Sequence, residues 1–185
     1  MMKEWRRRDI VGLLLESGAI AMRGYDAPHR SFKDDDSIVT GADTEIEDFL
    51  TRELNCPEEG SFIIGEETAG TYSDEYLAAA LRKTAWVIDP IDGTSPYANQ
   101  IPTWGVSIAL MENSVIREGA IYLPAMNELY ITDGDSLLWT PSCPKHPAAV
   151  SAALRPLPPF EKRCDASGII GLSQKIAKAG FYRGP

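Results

Sequence analysis

Basic charge is scarce in this 185-residue chain: 18 lysines and arginines face 27 aspartates and glutamates, for a net charge of −9. An acidic protein of this kind repels polyanions, which argues against non-specific nucleic-acid binding and against an anionic membrane surface. Cysteine is rare as well. Cys56, Cys143 and Cys164 are odd in number and lack C-x-x-C spacing. They read as reduced thiols in the cytoplasm, not as a disulfide frame or a zinc site. His29 and His146 have no partners at metal-ligand spacing. No apolar run is long enough to span a bilayer, since residues 10–21 form too short a stretch and include Glu16. Nothing resembles a signal peptide, an internal repeat or a low-complexity tract.

What is present is enough chain for one domain with a sizeable core. Val11, Leu14, Leu15, Gly18 and Met22 recur at helical spacing, and Ile46, Phe49, Leu50 and Leu54 form a second helical stripe. Either Thr40-x-x-Asp43 or Thr44-x-x-Glu47 is suited to cap that second helix. Residues 26–37, with Lys33-Asp34-Asp35-Asp36, read as a loop or weak hairpin, and residues 76–83 as a short helix. Four strand-like runs follow at 106–111, 115–123, 128–132 and 136–139, separated by Asn113-Ser114, Pro124-Ala125 and Asp133-Gly134. This predicts an antiparallel meander packed on helices, an α+β layout. Residues 141–163 carry six prolines and read as a linker, apart from a short turn at 148–154. Residues 1–140 then form the main domain. Residues 164–185, with helical features at 169–181, open a second one.

The most informative stretch is Trp86-Val87-Ile88-Asp89-Pro90-Ile91-Asp92-Gly93-Thr94. A short apolar strand delivers two carboxylates, and small donor-rich residues follow. Upstream, Phe62-Ile63-Ile64-Gly65 is another short strand, ending in Glu66-Glu67-Thr68. Hard divalent cations take oxygen ligands, and Mg²⁺ is held by a few carboxylates together with water and phosphate. Glu66, Asp89 and Asp92 match that donor set. Pro90 cannot donate to a ladder and ends the strand where the ligands begin.

These blocks, with Pro102, Ser107-Ile108-Ala109-Leu110 and, more weakly, Ile38-Val39-Thr40-Gly41-Ala42-Asp43, resemble the inositol monophosphatase family of the fructose-bisphosphatase-like superfamily. The resemblance implies the first domain of a layered α-β-α-β-α fold, an antiparallel sheet packed on two long helices. It implies a Mg²⁺-dependent phosphomonoesterase for a small phosphate ester such as inositol monophosphate. Glu66, Asp89, Asp92 and the Ile91 carbonyl would bind metal, with Glu67 beside them. Asp43 and Thr94 would position and activate water. The backbone N–H groups of Gly93, Thr94 and Ser95 would hold phosphate. Asp43 and Thr94 are also each open to a simple helix-capping role.

Two departures stand out. The family carries a downstream Trp-Asp block whose Asp completes a second metal position, and none of Trp5, Trp86, Trp104 and Trp139 is followed by Asp. Pro96-Tyr97 stands where Asn-Phe or similar is usual. The alternative reading is thus a truncated, catalytically impaired metal-binding domain, and the expected partner is a second copy in a homo-oligomer, a dimer. Fructose bisphosphate and 3′-phosphoadenosine nucleotides are alternative substrates.

Overall fold

The structure, a computed structural model, describes residues 4–28, 30–32 and 38–157. Its apolar stripes wind two long helices, α1 (Arg7–Gly24) and α2 (Gly41–Leu54). Between them a short antiparallel hairpin pairs β1 (Arg30–Phe32) with β2 (Ile38–Thr40). The seven-stranded sheet follows: β3 (Ser61–Gly65), β4 (Thr84–Asp92), β5 (Gly105–Glu112), β6 (Val115–Leu123), β7 (Glu128–Asp133), β8 (Ser136–Thr140) and β9 (Arg155–Pro156), in that spatial order. Three further helices are α3 (Asp74–Arg82), α4 (Thr94–Ala98) and α5 (Pro147–Ala153).

The expected antiparallel meander runs from β5 to β8, and its turns fall where the sequence predicts them. Asn113, Ser114, Asn127 and Gly134 take positive φ there. β3 adds what the sequence reading left out, a parallel pairing with β4, reached by a crossover through α3. Its register sets Gly65 beside Ile88. The ladder between the two strands ends at that pair, so Glu66, just after β3, and Asp89, within β4, emerge side by side, while β4 itself runs on through Pro90 to Asp92 and does not stop at the proline as the sequence predicts. Carboxyl ends of parallel strands are where open α/β sheets collect ligands.

One face of the sheet packs on α1 and α2 around Trp86, Ile108, Leu129 and Ile131, all within 1% of full burial. Each such side chain stabilises the fold by about 1.5–3 kcal/mol when removed from water. On α1 the buried face is Ile10, Val11, Leu14, Ser17, Gly18, Ile20 and Ala21. It is rotated relative to the predicted stripe, and Met22 is 41% exposed.

Part of the proline-rich stretch is attached to this unit. Pro147 occupies an early position of α5, where a missing N–H costs little, and α5 packs on α1. β9 then pairs with β8, and the Arg155 guanidinium lies 4.8 Å from the Trp139 ring centre. The expected helix at 169–181, Cys164 and the Lys33–Asp36 charges lie outside the described residues.

Candidate active site

β4 reaches the site through a bulge. Asp89 pairs with Ser107 and Asp92 with Gly105, so three steps on β4 oppose two on β5. In a regular strand, residues three apart point to opposite faces. The extra residue re-phases the pair, so that both carboxylates act on the same region. Asp89 feels Glu66, Asp92 and Asp43 together. Burial first, then these neighbours, push its carboxyl up to about 8. Glu66 is within hydrogen-bond reach of it. Asp89 Oδ1 is buried and has no hydrogen-bond partner.

The backbone then turns sharply. Gly93 has φ +95°, and a Cβ there would stand 3.2 Å from the Thr103 carbonyl and 3.3 Å from Trp104 Cβ. Only glycine suits both the conformation and the space. Gly93 is followed directly by α4, with the Thr94, Ser95 and Pro96 nitrogens in its first turn. Pro96 thus sits where helix N–H groups have no internal partner, which accounts for its presence. Beneath α4, Tyr97 is buried between Tyr25 and Trp104 and donates its hydroxyl proton to the Ala21 carbonyl at 2.7 Å. This aromatic cluster fixes the position of Thr94.

The Thr94 hydroxyl lies 3.2 Å from the Ile91 carbonyl and 3.5 Å from Asp43 Oδ1. Asp43 answers the question its sequence left open by doing two things. Its Oδ2 accepts from Thr40 N at 2.8 Å and from Thr40 Oγ1 at 2.6 Å, capping α2. Its Oδ1 faces Thr94. Burial raises the Asp43 carboxyl above its usual range, against the lowering effect of Thr40. Thr40, not Thr44, is therefore the cap.

Sequence reasoning missed Glu47 as a site component. This residue is 2% exposed and accepts from Glu67 N and Thr68 N, each at 2.9 Å, and from Thr68 Oγ1. Its signal was present: four residues after Asp43 and three before Leu50, it lies on the apolar stripe of α2.

Glu66, Asp89, Asp92 and the Ile91 carbonyl thus gather at one sheet edge, with Asp43, Thr94, Gly93 and Ser95 beside them. The carboxylates crowd one another without forming a finished cage: among the described residues no group of three or more His, Cys, Asp or Glu is disposed to hold a metal. The donor chemistry nonetheless fits a hard cation. Self-repelling carboxylates and an orphaned buried oxygen are what a divalent ion would neutralise. A cavity of about 380 Å³ adjoins Asp92 and Gly93, lined also by Trp104, Ile121, Met126 and Tyr130. The larger cavity, about 830 Å³, lies away from this chemistry, among residues of α1, α2 and the start of α5.

Comparison with known proteins agrees with this geometry. A profile of the inositol monophosphatase family matches residues 7–153. Inositol-1-monophosphatase of Mesorhizobium japonicum is 35% identical over 103 residues, 56% of this chain and 36% of the relative. Histidinol-phosphatase of Chlorobaculum parvum is 34% identical over 121 residues, 64% of this chain and 43% of the relative. The chain thus spans less than half the length of these curated relatives. Among solved structures, an IMPase of Thermotoga maritima superposes with a TM-score of 0.59 at 25% identity, covering 71% of this chain and 49% of that one. Profile, relatives and fold coincide on the segment that carries the acidic motif, and the chain belongs to the inositol monophosphatase family.

Proposed function

We propose that this chain carries the metal- and phosphate-binding half of a Mg²⁺-dependent phosphomonoesterase acting on a small phosphorylated substrate. The family is generally metal-dependent and its homologues are phosphatases. The observation that carries the reading is the buried, partnerless Asp89 Oδ1 among Glu66, Asp92 and Asp43.

In this reading Glu66, Asp89, Asp92 and the Ile91 carbonyl hold Mg²⁺. When bound, the ion neutralises phosphate charge and acidifies water. Asp43 Oδ1 and Thr94 Oγ1 hold a water in line with the ester, with Asp43 drawing proton density through the threonine hydroxyl. The Gly93, Thr94 and Ser95 N–H groups orient the phosphate oxygens, so little reorganisation remains at the moment of reaction. Glu67 stays beside the ligands and does not join them. The apolar cavity beside Asp92 takes the carbon skeleton of the substrate. Inositol monophosphate is the first candidate, and histidinol phosphate joins it because a relative carries that name.

The domain that holds this site is proposed to extend past residue 140 to include α5 and β9, which pack on α1 and pair with β8, with a second domain proposed from 164. A cytoplasmic setting and a homodimer complete the proposal. Among the described residues no helix is long and apolar enough to cross a membrane. The reading is tested by phosphate release from inositol-1-phosphate and histidinol phosphate with and without Mg²⁺. Thr94→Ala should lower turnover at least tenfold, in keeping with loss of positioned acid–base help worth about 10²–10⁴, and leave Mg²⁺ affinity unchanged. Unchanged turnover would reduce Thr94 to a helix residue.

A further inference from the structure

We infer that Glu47 is a positioning residue, which sets the direction of Glu66 through the backbone of the turn after β3 without touching a metal itself. The inference rests on the reading of Glu66 as a ligand. Glu47 projects from α2 one helical turn beyond Asp43, and its carboxylate is buried. Oε2 accepts from Glu67 N at 2.9 Å. Oε1 accepts from Thr68 N at 2.9 Å and from the Thr68 hydroxyl. Both oxygens thus accept from the turn.

The turn is held from both sides of Glu66. Before it, Gly65 is fixed by its pairing with Ile88, and its N–H lies 3.4 Å from the Tyr72 hydroxyl. After it, residues 67 and 68 are tied to Glu47. Thr68 Oγ1 also shares a hydrogen bond with Tyr72 OH at 2.6 Å. Gly65 packs so closely on Glu47 that a Cβ there would overlap the carboxylate. With the turn held in this way, the Glu66 side chain comes within hydrogen-bond reach of Asp89. A carboxylate taken out of water costs several kcal/mol unless its oxygens are satisfied, and here backbone N–H groups satisfy them. A salt-bridge or solubility role needs none of these aimed contacts. Outer residues that orient metal ligands typically change metal affinity about 10–100-fold when altered.

The test is Mg²⁺ titration by calorimetry on the 185-residue chain, with circular dichroism and the metal-free unfolding midpoint recorded in parallel. Two variants are needed. Glu47→Gln keeps the shape but sets an amide NH₂ against a backbone N–H. Thr68→Val removes one donor and changes no charge. Both should weaken Mg²⁺ binding, Glu47→Gln by about tenfold and Thr68→Val by a smaller factor, with the far-ultraviolet spectrum retained. A merely structural role would lower the midpoint and leave the affinity of the folded protein untouched. Wild-type affinity in either folded variant overturns the inference, because a loss confined to Glu47→Gln would mean that charge alone is acting. If Glu47→Gln does not fold, Thr68→Val decides by itself. Asp89→Asn serves as the control. Wild-type affinity in that variant removes the metal-site reading and this inference with it, whereas a loss there beside unchanged Glu47 and Thr68 variants sinks this inference alone.

Discussion

The meander from β5 to β8 and the joined ends of β3 and β4 belong to one sheet but obey different rules. In the meander, polar tips alternate with buried apolar residues, and the turns use Asn, Ser and Gly where φ is positive. Its inward side chains, Leu129 and Ile131 among them, are fully covered. At the β3–β4 end the ladder is broken by a bulge, acids stand against acids, and a buried oxygen lacks a partner. A sheet can hold such strain only where the rest of the structure over-determines it. The regular part supplies stability, and the irregular part stores the repulsion that a cation would relieve.

Breaking the regular side should cost most and leave the site alone. Leu129→Ala opens a cavity in β7 and should lower unfolding free energy by about 2–5 kcal/mol in urea melts. Mg²⁺ affinity of the folded fraction should not change. If affinity fell in step with stability, the two regions would not be separable as described.

The difference also explains what the sequence made legible. The meander was readable because period-two alternation and turn chemistry are local signals. The acidic string was readable because Asp89 and Asp92 lie three apart around a proline, a spacing that means little for an ordinary strand. The parallel pairing of β3 was not readable, since it depends on how α3 packs between 65 and 84, a tertiary matter. Glu47 is legible as a buried helix position, from its place on the apolar stripe of α2, but its part in the site shows only once the turn it anchors is placed beside it. The buried face of α1 departs from the stripe because α1 packs on α2, α5, β5 and β6 together, which covers Ile10, Ser17 and Ala21 as well. The attachment of α5 and β9 was hidden by prolines that sit at a helix start and an edge strand, where they are tolerated.

The turn between the two regions should show an intermediate effect. Gly93→Ala forces a Cβ into the left-handed region and against Thr103 and Trp104. It should cost about 1–3 kcal/mol in thermal or urea unfolding and also reduce phosphate release. A neutral outcome in both assays would mean that the turn relaxes freely. Thr40→Ala removes the side-chain half of the α2 cap and should cost about 0.5–2 kcal/mol, seen as a lower unfolding midpoint. Turnover should fall as well, because Asp43 loses one of the two bonds that hold its Oδ2.

The crowded end also predicts a slope in pH. Asp89 is pushed from 3.8 up to about 8 in the folded protein, by burial and then by Glu66. The folded state therefore holds that proton more tightly than the unfolded one. Its stabilising contribution is complete below about pH 4 and is lost as pH rises through about 8. Metal-free unfolding midpoints should drift downward across that window, and saturating Mg²⁺ should flatten the drift. Asp89→Asn should remove it without metal.

The central claim is that the β3–β4 end is built to be completed by a cation. Calorimetric Mg²⁺ titration of wild type and Asp89→Asn, with metal-free melting of both at pH 8, tests it most directly. The account predicts a loss of at least tenfold in Mg²⁺ affinity for the variant, as expected when a ligand itself is removed. It also predicts a higher metal-free midpoint, because one self-repelling charge is gone. Equal Mg²⁺ affinity in the two proteins, or a variant less stable than wild type without metal, would contradict it.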